Sequence, residues 1–243
     1  MRILLISDLH LDFFDCYSAE RFIKSFRANK ADVVAFAGDL SGYEFLKDAI
    51  KILCEHFAEI IFVPGNHEFY MAPTKESVFE LLENAQIKFP NFKFLYNSIY
   101  KKGKIRFLGT TLWFPETPQS LHNTFRINDF NYINDFENWV YDENDLAMKF
   151  LNQNLQRGDF VITHHLPSWK SVDYQYKDST INCYYVCNIE DAAFKRKPRI
   201  WQHGHSHTSK NYTINKTSVI CNPLDYYPNT NSSFSREAIY LET

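Results

Sequence analysis

The sequence predicts an α/β protein, and two observations support this fold class. In the first half of the 243 residues, short apolar runs alternate with stretches of helical periodicity, a pattern typical of parallel βαβ units. In the second half, apolar runs are more frequent, which predicts a mixed sheet or a pair of sheets. Neither a repeat nor a low-complexity linker divides the chain, so residues 1–243 are predicted to form a single domain.

The predicted strands are short runs that are rich in apolar, β-branched and aromatic residues. They cover residues 3–6, 33–37, 60–63, 92–99, 105–114, 160–163, 199–202, 218–221 and 238–241. Most of these runs are followed by Gly, Asp, Asn or His residues, which end the apolar pattern.

Four helices are predicted between the strands. Ser18 is expected to cap a helix that runs to about Asn29, and residues 44–57 have apolar side chains at helical spacing. Thr74 is expected to open the third helix and Asp142 the fourth. One side of the fourth helix is predicted to consist of Leu146, Phe150 and Leu155.

The stretch 115–141 has few aliphatic residues and many Asn, Asp and aromatic residues. It is longer than an ordinary connection between two elements. Two interpretations stay open: a loop over an active site, and a surface excursion packed by its own aromatic side chains.

Composition limits the function and the compartment. The net charge of −3 predicts no general attraction to nucleic acid or to an anionic membrane. The five cysteines are odd in number and scattered, which is typical of reduced thiols in an intracellular protein. Cys183 and Cys187 are spaced for one helical turn, but with no second ligand pair nearby they are interpreted as buried thiols rather than a zinc site. The run "MRILLIS" is too short for a signal peptide and no run reaches transmembrane length, so we expect a cytoplasmic protein without a membrane partner.

The most informative pattern lies directly after the apolar runs. Five predicted strands are followed at once by residues that can bind metals, and in open α/β sheets the crevice beyond the carboxyl ends of strands is where ligands bind. The five segments are "SDLH" (Asp8, His10), "GDL" (Asp39), "GNHE" (Asn66, His67, Glu68), "HH" (His164, His165) and "HGHSH" (His203, His205, His207). Each segment alone is a weak signal, because a D-x-H triplet or a Gly-Asp pair is usually a turn or a helix cap. Five strand ends with the same property indicate one metal-binding crevice.

In this order the motifs resemble those of the calcineurin-like metallophosphoesterase superfamily. D-x-H, G-D, G-N-H-E, H-H and G-H-x-H span residues 8 to 207, so the resemblance covers most of the chain. It implies a four-layer αββα sandwich around two mixed sheets, with a two-metal site at the strand ends. One departure is "GDLSGYE", which lacks the acidic and arginine-bearing sequence of protein Ser/Thr phosphatases. Phosphoprotein phosphatase activity is therefore not expected.

The resemblance also implies roles for individual residues. His67 corresponds to the catalytic histidine of the family, next to the leaving group. His203 precedes a glycine and is expected to end its strand, either as a structural residue or to orient a ligand by a hydrogen bond, and of the adjacent pair His164 is preferred to His165 as the metal ligand. The implied ligands are Asp8, His10 and His207 for one metal, Asn66, His164 and His205 for the other, and Asp39 as the bridge between them.

These ligands suit two divalent ions chosen among Mn, Fe, Zn and Co. Two such ions neutralise the charge of a phosphate ester and lower the pKa of a bound water. The expected reaction is direct attack by metal-bound hydroxide. Asp39 would bridge the two metals, and His67 would protonate the leaving oxygen. A covalent phosphoenzyme is not expected.

The preferred substrate is a small phosphodiester or phosphomonoester. Arg126 and His165 are candidate substrate contacts, as are Lys170 and Lys177, although each of these Arg and Lys residues also fits a solvated surface position. Tyr184 and Tyr185 fit base stacking and core packing equally well. Two rival functions are a nuclease acting on nucleic acid ends, which the acidic balance disfavours, and a non-catalytic protein-binding scaffold, in which we would expect metal ligands to be missing. The oligomeric state is beyond the sequence.

Overall fold

Two stacked sheets form the centre of the computed structural model, which describes residues 1–27, 30–122 and 124–241. In the first sheet the strand order is β11-β1-β2-β3-β4, with β1 to β4 parallel and β11 antiparallel to β1. The bounds are β1 Arg2–Ile6, β2 Val33–Ala37, β3 Ile60–Val63, β4 Phe92–Phe94 and β11 Ile239–Leu241.

The second sheet is also mixed, with the order β5-β6-β7-β8-β10-β9. Strands β6, β7, β8 and β10 are parallel, while β5 and β9 pair antiparallel at the two edges. The bounds are β5 Ser98–Lys102, β6 Ile105–Thr110, β7 Phe160–Thr163, β8 Ile200–His203, β9 Lys210–Ile214 and β10 Thr217–Cys221.

Helices cover the outer faces of both sheets. Helices α1 (Cys16–Lys24), α2 (Tyr43–His56) and α3 (Lys75–Lys88) pack on the first sheet. Helices α5 (Val140–Asn154) and α6 (Glu190–Ala193) pack on the second, and the short α4 (Asp129–Tyr132) lies between α3 and α5 in the chain. The predicted α/β fold with four αββα layers is confirmed.

Alternation along the strands explains this layering. In β1, Ile3 and Leu5 point into the core between the two sheets, whereas Leu4 and Ile6 point toward the helices. Since the parallel strands are covered on both faces, they are apolar without interruption, as in "VVAFA" of β2, where all five residues are buried. The alternation of strands and helices in the first half is therefore confirmed as parallel βαβ units.

Several predicted strand bounds were wrong. The run 92–99 is two strands in different sheets, because Asn97 takes a left-handed conformation (φ 46°) where the chain crosses from β4 to β5. The run 105–114 ends as a strand at Thr110, since Leu112 and Trp113 have φ of 74° and 44°. Strand β9 was missed because it is an edge strand with polar residues facing solvent. Strand β8 includes His203, so the expectation that His203 ends the strand is confirmed.

Two helix predictions also need correction. Asp15, not Ser18, caps α1: its carboxylate accepts the Ser18 N–H at 2.9 Å, and the helix ends at Lys24. Asn29 lies outside the described residues. Helix α5 begins at Val140 rather than Asp142, and the side chain of Leu146 is 51% exposed instead of packed.

Other helix predictions agree with the structure. Thr74 caps α3 as predicted, accepting the Ser77 N–H at 3.1 Å, and α2 lies within one residue of its predicted bounds. Within the described residues no helix has the length and apolar character to cross a membrane.

Candidate metal site

The polar segments that follow β1, β2, β3, β7 and β8 meet at one edge of the two sheets, as the parallel strand directions require. Four of their residues have left-handed backbones: Asp8 (φ 52°), His10 (φ 44°), Asp39 (φ 59°) and His205 (φ 64°). Such conformations cost free energy in residues other than glycine, and they cluster at functional sites. The left-handed backbone ends the regular structure at these positions and turns the four side chains toward the crevice.

Gly65 allows two of these segments to approach each other. A Cβ at this position would lie 2.6 Å from Cε1 of His164 and still closer to Oδ1 of Asp39. No larger residue fits unless one of those two side chains moves. The glycine of "GNHE" is therefore required by the packing of Asp39 against His164.

One cluster of ligand-capable atoms comes from Asp8, His10 and His207, whose donor atoms lie within 4.8 Å of one another. Nε2 of His10 is 3.3 Å from Nε2 of His207, which in turn is 3.8 Å from Oδ1 of Asp8. Oδ2 of Asp8 is buried without a hydrogen-bond partner among the described residues. Burial raises the pKa of Asp8 to about 6, although His164 and His207 oppose the shift.

A second cluster comes from Asp39, His164 and His205. The side-chain oxygen of Asn66 lies next to it, in contact with His164. Nε2 of His164 lies 2.9 Å from Oδ1 of Asn66 and 3.1 Å from Nδ1 of His205. The other ring nitrogen of His164 contacts the backbone carbonyl of Ala37 at 2.8 Å. Because a carbonyl only accepts hydrogen bonds, Nδ1 carries a proton, so Nε2 is the ring atom that serves as the ligand when the ring is neutral.

Asp39 lies between the two clusters. Its Oδ2 is 3.4 Å from Nε2 of His164 and 3.9 Å from Nε2 of His10, and its Oδ1 accepts the backbone N–H of His67 at 2.9 Å. Burial alone would raise the pKa of Asp39, but His164 and His67 outweigh it and hold the pKa well below the usual range. The carboxylate is therefore ionised and faces both clusters.

Burial lowers the pKa of His10 and of His205 well below the usual value, so both rings are neutral near pH 7. A neutral imidazole is the form that binds metals, because the ligand nitrogen must have a free lone pair. His164 differs: burial lowers its pKa, but the Asp39 carboxylate outweighs burial and raises the pKa to about 9.

Three carboxylates that the sequence reasoning assigned no role support these residues from behind. Glu68 accepts backbone N–H groups of Gly65 (2.6 Å) and Leu40 (2.6 Å), which ties the segment after β2 to the segment after β3. Asp129 accepts a hydrogen bond from Nδ2 of Asn66 at 2.8 Å and thereby turns Oδ1 of Asn66 toward His164. Asp225 lies 2.5 Å from Nδ1 of His207, which leaves Nε2 of that ring toward the first cluster.

The sequence pattern could have identified two of these three carboxylates. Asp225 and Tyr226 follow β10 in "CNPLDYY", so the strand-end rule applied to a sixth strand would have selected them. Glu68 lies in "GNHE", one of the five segments that follow a strand. Asp129 lies in the stretch 115–141 and follows no strand, so no local pattern distinguishes it from other surface acids.

His67 is stacked on Tyr70, with ring centroids 4.1 Å apart and an interplanar angle of 24°. Its Nε2 is 3.0 Å from the hydroxyl of Tyr226, and its ring meets that of His10 edge-on at 4.4 Å. Burial lowers the pKa of His67. The residue thus lies beside both the Asp39 carboxylate and the first cluster.

His165 and His203 lie behind the site. His165 is fully buried, packs on Trp113 at 5.1 Å and on His205 at 4.4 Å, and does not line the cavity in the described part of the chain. The structure therefore does not place it where a substrate would contact it. His203 is also buried, with Nε2 2.8 Å from Oγ of Ser171 and Nδ1 2.9 Å from the Gly204 carbonyl.

A cavity of about 520 Å³ opens over the two clusters. Residues 126–129 of the stretch 115–141 form one wall of this cavity, and Arg126 lies among them with Nη1 3.4 Å from Oγ1 of Thr180. Tyr184 and Tyr185 line the cavity as well, and the ring of Tyr185 packs on His205 at 4.5 Å.

The other basic candidates and the cysteine pair lie apart from the cavity. Lys170 pairs with Glu190 at 3.5 Å, Lys177 lies over the ring of Tyr174 at 4.4 Å, and neither is among the described residues that line the cavity. Cys187 is buried and accepts a hydrogen bond from Asn144 at 3.1 Å, and within the described ranges it joins no cluster of ligand-capable side chains.

The residues present fit a pair of divalent ions. Seven oxygen and nitrogen donors converge in two groups, with the Asp39 carboxylate between His164 of one and His10 of the other, and imidazole with carboxylate and amide oxygen is a donor set of transition metals. The unpartnered Oδ2 of Asp8 is a further sign, because a buried carboxylate oxygen without a partner is costly unless a cation compensates it.

Fold and site together define an α/β sandwich with a metal-binding crevice at the carboxyl ends of its strands. A family model described as calcineurin-like phosphoesterase matches residues 1–209, and the chain belongs to that family. The family uses a dinuclear divalent metal centre, and the two clusters above are the candidate ligands for it.

Individual proteins are similar to this chain over most of its length. An uncharacterized protein of Acanthamoeba polyphaga mimivirus is 28% identical over 261 residues, which are 93% of this chain and 92% of that protein. The structure of a phosphopantetheinyl hydrolase from Mycobacterium tuberculosis is similar with a TM-score of 0.73 at 13% identity, covering 98% of this chain and 94% of that one. A dimetal phosphatase from Danio rerio is similar with a TM-score of 0.50 at 13% identity, covering 91% and 86%. At these identities the solved structures show a shared fold.

Proposed function

We propose that this protein is a phosphoesterase that uses two divalent metal ions to hydrolyse a phosphodiester or phosphomonoester bond of a small substrate. The observation that supports it most directly is the position of Asp39, whose ionised carboxylate faces both ligand clusters at 3.4 and 3.9 Å. Asp8, His10 and His207 would hold one ion, Asn66, His164 and His205 the other, and Asp39 both. Bound there, the ions would neutralise the phosphoryl oxygens and make a water molecule acidic enough to act as the nucleophile near neutral pH.

The chain's own residues would do the rest of the work. His67 lies beside Asp39 on the cavity wall, and we assign to it the protonation of the leaving oxygen. Asp225, Asp129 and the Ala37 carbonyl hold three of the ligand side chains in one orientation, so little reorganisation is needed when the ions bind.

The cavity favours a small substrate over nucleic acid. Its described lining contains the carboxylates of Asp39, Asp129, Asp173 and Asp225. Arg126 is the one Lys or Arg among those lining residues, and we propose that it contacts a substrate phosphate. Nucleic-acid sites track the backbone with several basic side chains, which this lining does not offer.

The test is a hydrolysis panel with Mn, Fe, Zn and Co on the wild type and on Asp39→Asn. The panel contains bis-p-nitrophenyl phosphate, p-nitrophenyl phosphate, cyclic nucleotides, single-stranded DNA and a phosphopantetheine diester, the last because a protein of similar fold is a phosphopantetheinyl hydrolase. We expect turnover of a small ester and a loss of at least about 1000-fold in Asp39→Asn, because that variant loses the shared charged ligand.

Asp32→Asn is the matched control, since Asp32 pairs with Arg2 just before β2, at the opposite end of the strand from Asp39. That control should retain full activity. An Asp39→Asn protein as active as the wild type would refute the site assignment. A wild type that purifies without stoichiometric metal and hydrolyses nothing would identify a scaffold instead.

A further inference from the structure

The loop after β10, residues 222–226, is built onto the end of β1. The backbone N–H of Leu224 donates to the Ser7 carbonyl at 3.2 Å, and that of Asp225 donates to the Asp8 carbonyl at 3.1 Å. Asn222 adds a side-chain bond to the Leu5 carbonyl at 2.8 Å. The loop lies beyond residues 1–209, the range that the family model matches.

This anchoring brings the side chain of Tyr226 into the metal crevice. Its ring centroid is 4.3 Å from that of His10, 4.8 Å from that of His207 and 4.8 Å from that of Phe13. Its hydroxyl reaches Nε2 of His67 at 3.0 Å, and both side chains line the cavity.

Among the described residues, the hydroxyl of Tyr226 is the single hydrogen-bond partner of the His67 imidazole. The other contacts of the ring are the stack on Tyr70 and the edge contact with His10. Stacking holds the plane of a ring but does not distinguish its nitrogen atoms from its carbon atoms. A hydrogen bond to Nε2 does distinguish them, because only one in-plane orientation satisfies it.

We propose that Tyr226 is a positioning residue for His67. With Nε2 as the donor of this bond, the hydroxyl holds the proton-bearing nitrogen toward the cavity, and the leaving oxygen of a bound substrate would replace the hydroxyl as the acceptor of that proton. This inference depends on the proposed function, in which His67 protonates the leaving oxygen, and it extends that function to a residue outside the family motifs.

The experiment is Tyr226→Phe, which keeps the ring contacts and removes only the hydroxyl. Two diesters serve as substrates: bis-p-nitrophenyl phosphate releases a stable phenolate, whereas diphenyl phosphate releases a more basic one that needs a proton. If the panel shows a monoesterase, p-nitrophenyl phosphate and phenyl phosphate replace them. We expect kcat on the phenyl ester to fall about tenfold with KM unchanged, and kcat on the nitrophenyl ester to change less than about twofold.

Tyr227→Phe is the matched control. Tyr227 is the next residue, is 48% exposed, and stacks on Phe14 at 4.4 Å away from His67. This variant should leave both rates and the metal content unchanged.

The outcomes separate three explanations. Equal losses on both esters, or loss of metal in Tyr226→Phe, would mean that the hydroxyl supports the site as a whole, and no loss on either ester would mean that the bond is dispensable. Either result overturns the inference. His67→Ala should show the same dependence on the leaving group with a larger loss, and adding Tyr226→Phe to it should cost nothing more. If His67→Ala instead lowers both rates equally, the assigned role of His67 fails, independently of Tyr226.

Discussion

The two ends of the parallel strands both carry buried or half-buried acidic residues, but their partners differ. At the amino ends, each acid is paired with an Arg or Lys side chain of a strand in the same or the facing sheet, so its charge is compensated within the protein. The pairs are Asp32 with Arg2 at 2.8 Å, Asp159 with Arg106 at 3.3 Å, and Glu59 with Lys102.

At the carboxyl ends, Asp8 and Asp39 are more deeply buried, and neither has a Lys or Arg partner within 4 Å in the described ranges. Their neighbours are imidazoles: burial keeps His10 and His205 neutral, whereas Asp39 raises the pKa of His164 to about 9. Oδ2 of Asp8 is buried without a hydrogen-bond partner among the described residues, which is costly, so this end favours cations that come from solution. The comparison indicates that ion pairs at the amino ends of the strands contribute to stability, whereas the acidic residues at the carboxyl ends serve ligand binding.

Among variants that test this difference between the two strand ends, replacement of glycine should have the largest effect on stability and metal binding. Gly65→Ala places a Cβ against Asp39 and His164 and should lower the free energy of unfolding by about 3 kcal/mol and abolish stoichiometric metal binding. Gly158→Ala, just before β7 at the amino ends, faces open space and has only its left-handed backbone (φ 87°) as a penalty, so it should cost about 1–2 kcal/mol and leave metal binding intact.

Urea unfolding and metal analysis measure both quantities. A Gly65→Ala protein that binds metal like the wild type would show that the close approach of the two strand-end segments is not needed.

A smaller effect is expected for Asp225→Asn. The carboxylate at Nδ1 of His207 orients this ring and raises its basicity, so the neutral amide should weaken metal binding by about 10- to 100-fold. Competition with a chelator of known affinity measures the dissociation constant.

Asp173→Asn is the control, because Asp173 lines the same cavity but pairs with Lys210 at 3.4 Å. If both variants weaken binding equally, the effect comes from the overall charge of the cavity and not from the orientation of His207.

The smallest effect is expected for Asp32→Asn at the amino ends. The hydrogen bond from Arg2 lowers the pKa of Asp32 to about 2, below its value in the unfolded chain. The ionised carboxylate therefore adds stability above about pH 4, and this contribution is lost as the pH falls toward 2. Because the side chain is 41% exposed, solvent screens the pair and the difference from wild type should stay below about 1 kcal/mol.

Urea unfolding of both proteins at pH 7 and at pH 2.5 gives the two differences. A difference that does not shrink at the lower pH would argue against an electrostatic contribution.

Much of the fold was predictable where the pattern is local. Strands β2, β3 and β7 have their predicted bounds, because a run of four or five apolar residues between turn signals has few alternatives. The prediction failed where backbone conformation interrupts an apolar run, as at Asn97 and Leu112, since a left-handed φ is uncommon even for Asn and gives no signal at Leu. It also failed at the solvent-facing β9.

The candidate site shows the same division. Parallel strands in one sheet end at the same edge, which follows from the order of strands and helices and gathers the ends of β1, β2 and β3 and those of β7 and β8; the stacking of the two sheets then brings the two groups together. The expectation that His165 contacts substrate has no support in its buried position, because adjacent residues at a strand end point in different directions: His164 meets Asn66 and His205, whereas the ring of His165 packs on Trp113.

The sequence by itself therefore determined the class of fold and the residues that leave each strand end, since both depend on neighbours a few positions away. Only the tertiary structure decided which side chains hold those residues in place. Asn66 meets Asp129 across 63 positions, and His67 meets Tyr226 across 159. Such contacts result from the packing of distant segments against one another, and no local period or turn signal records them.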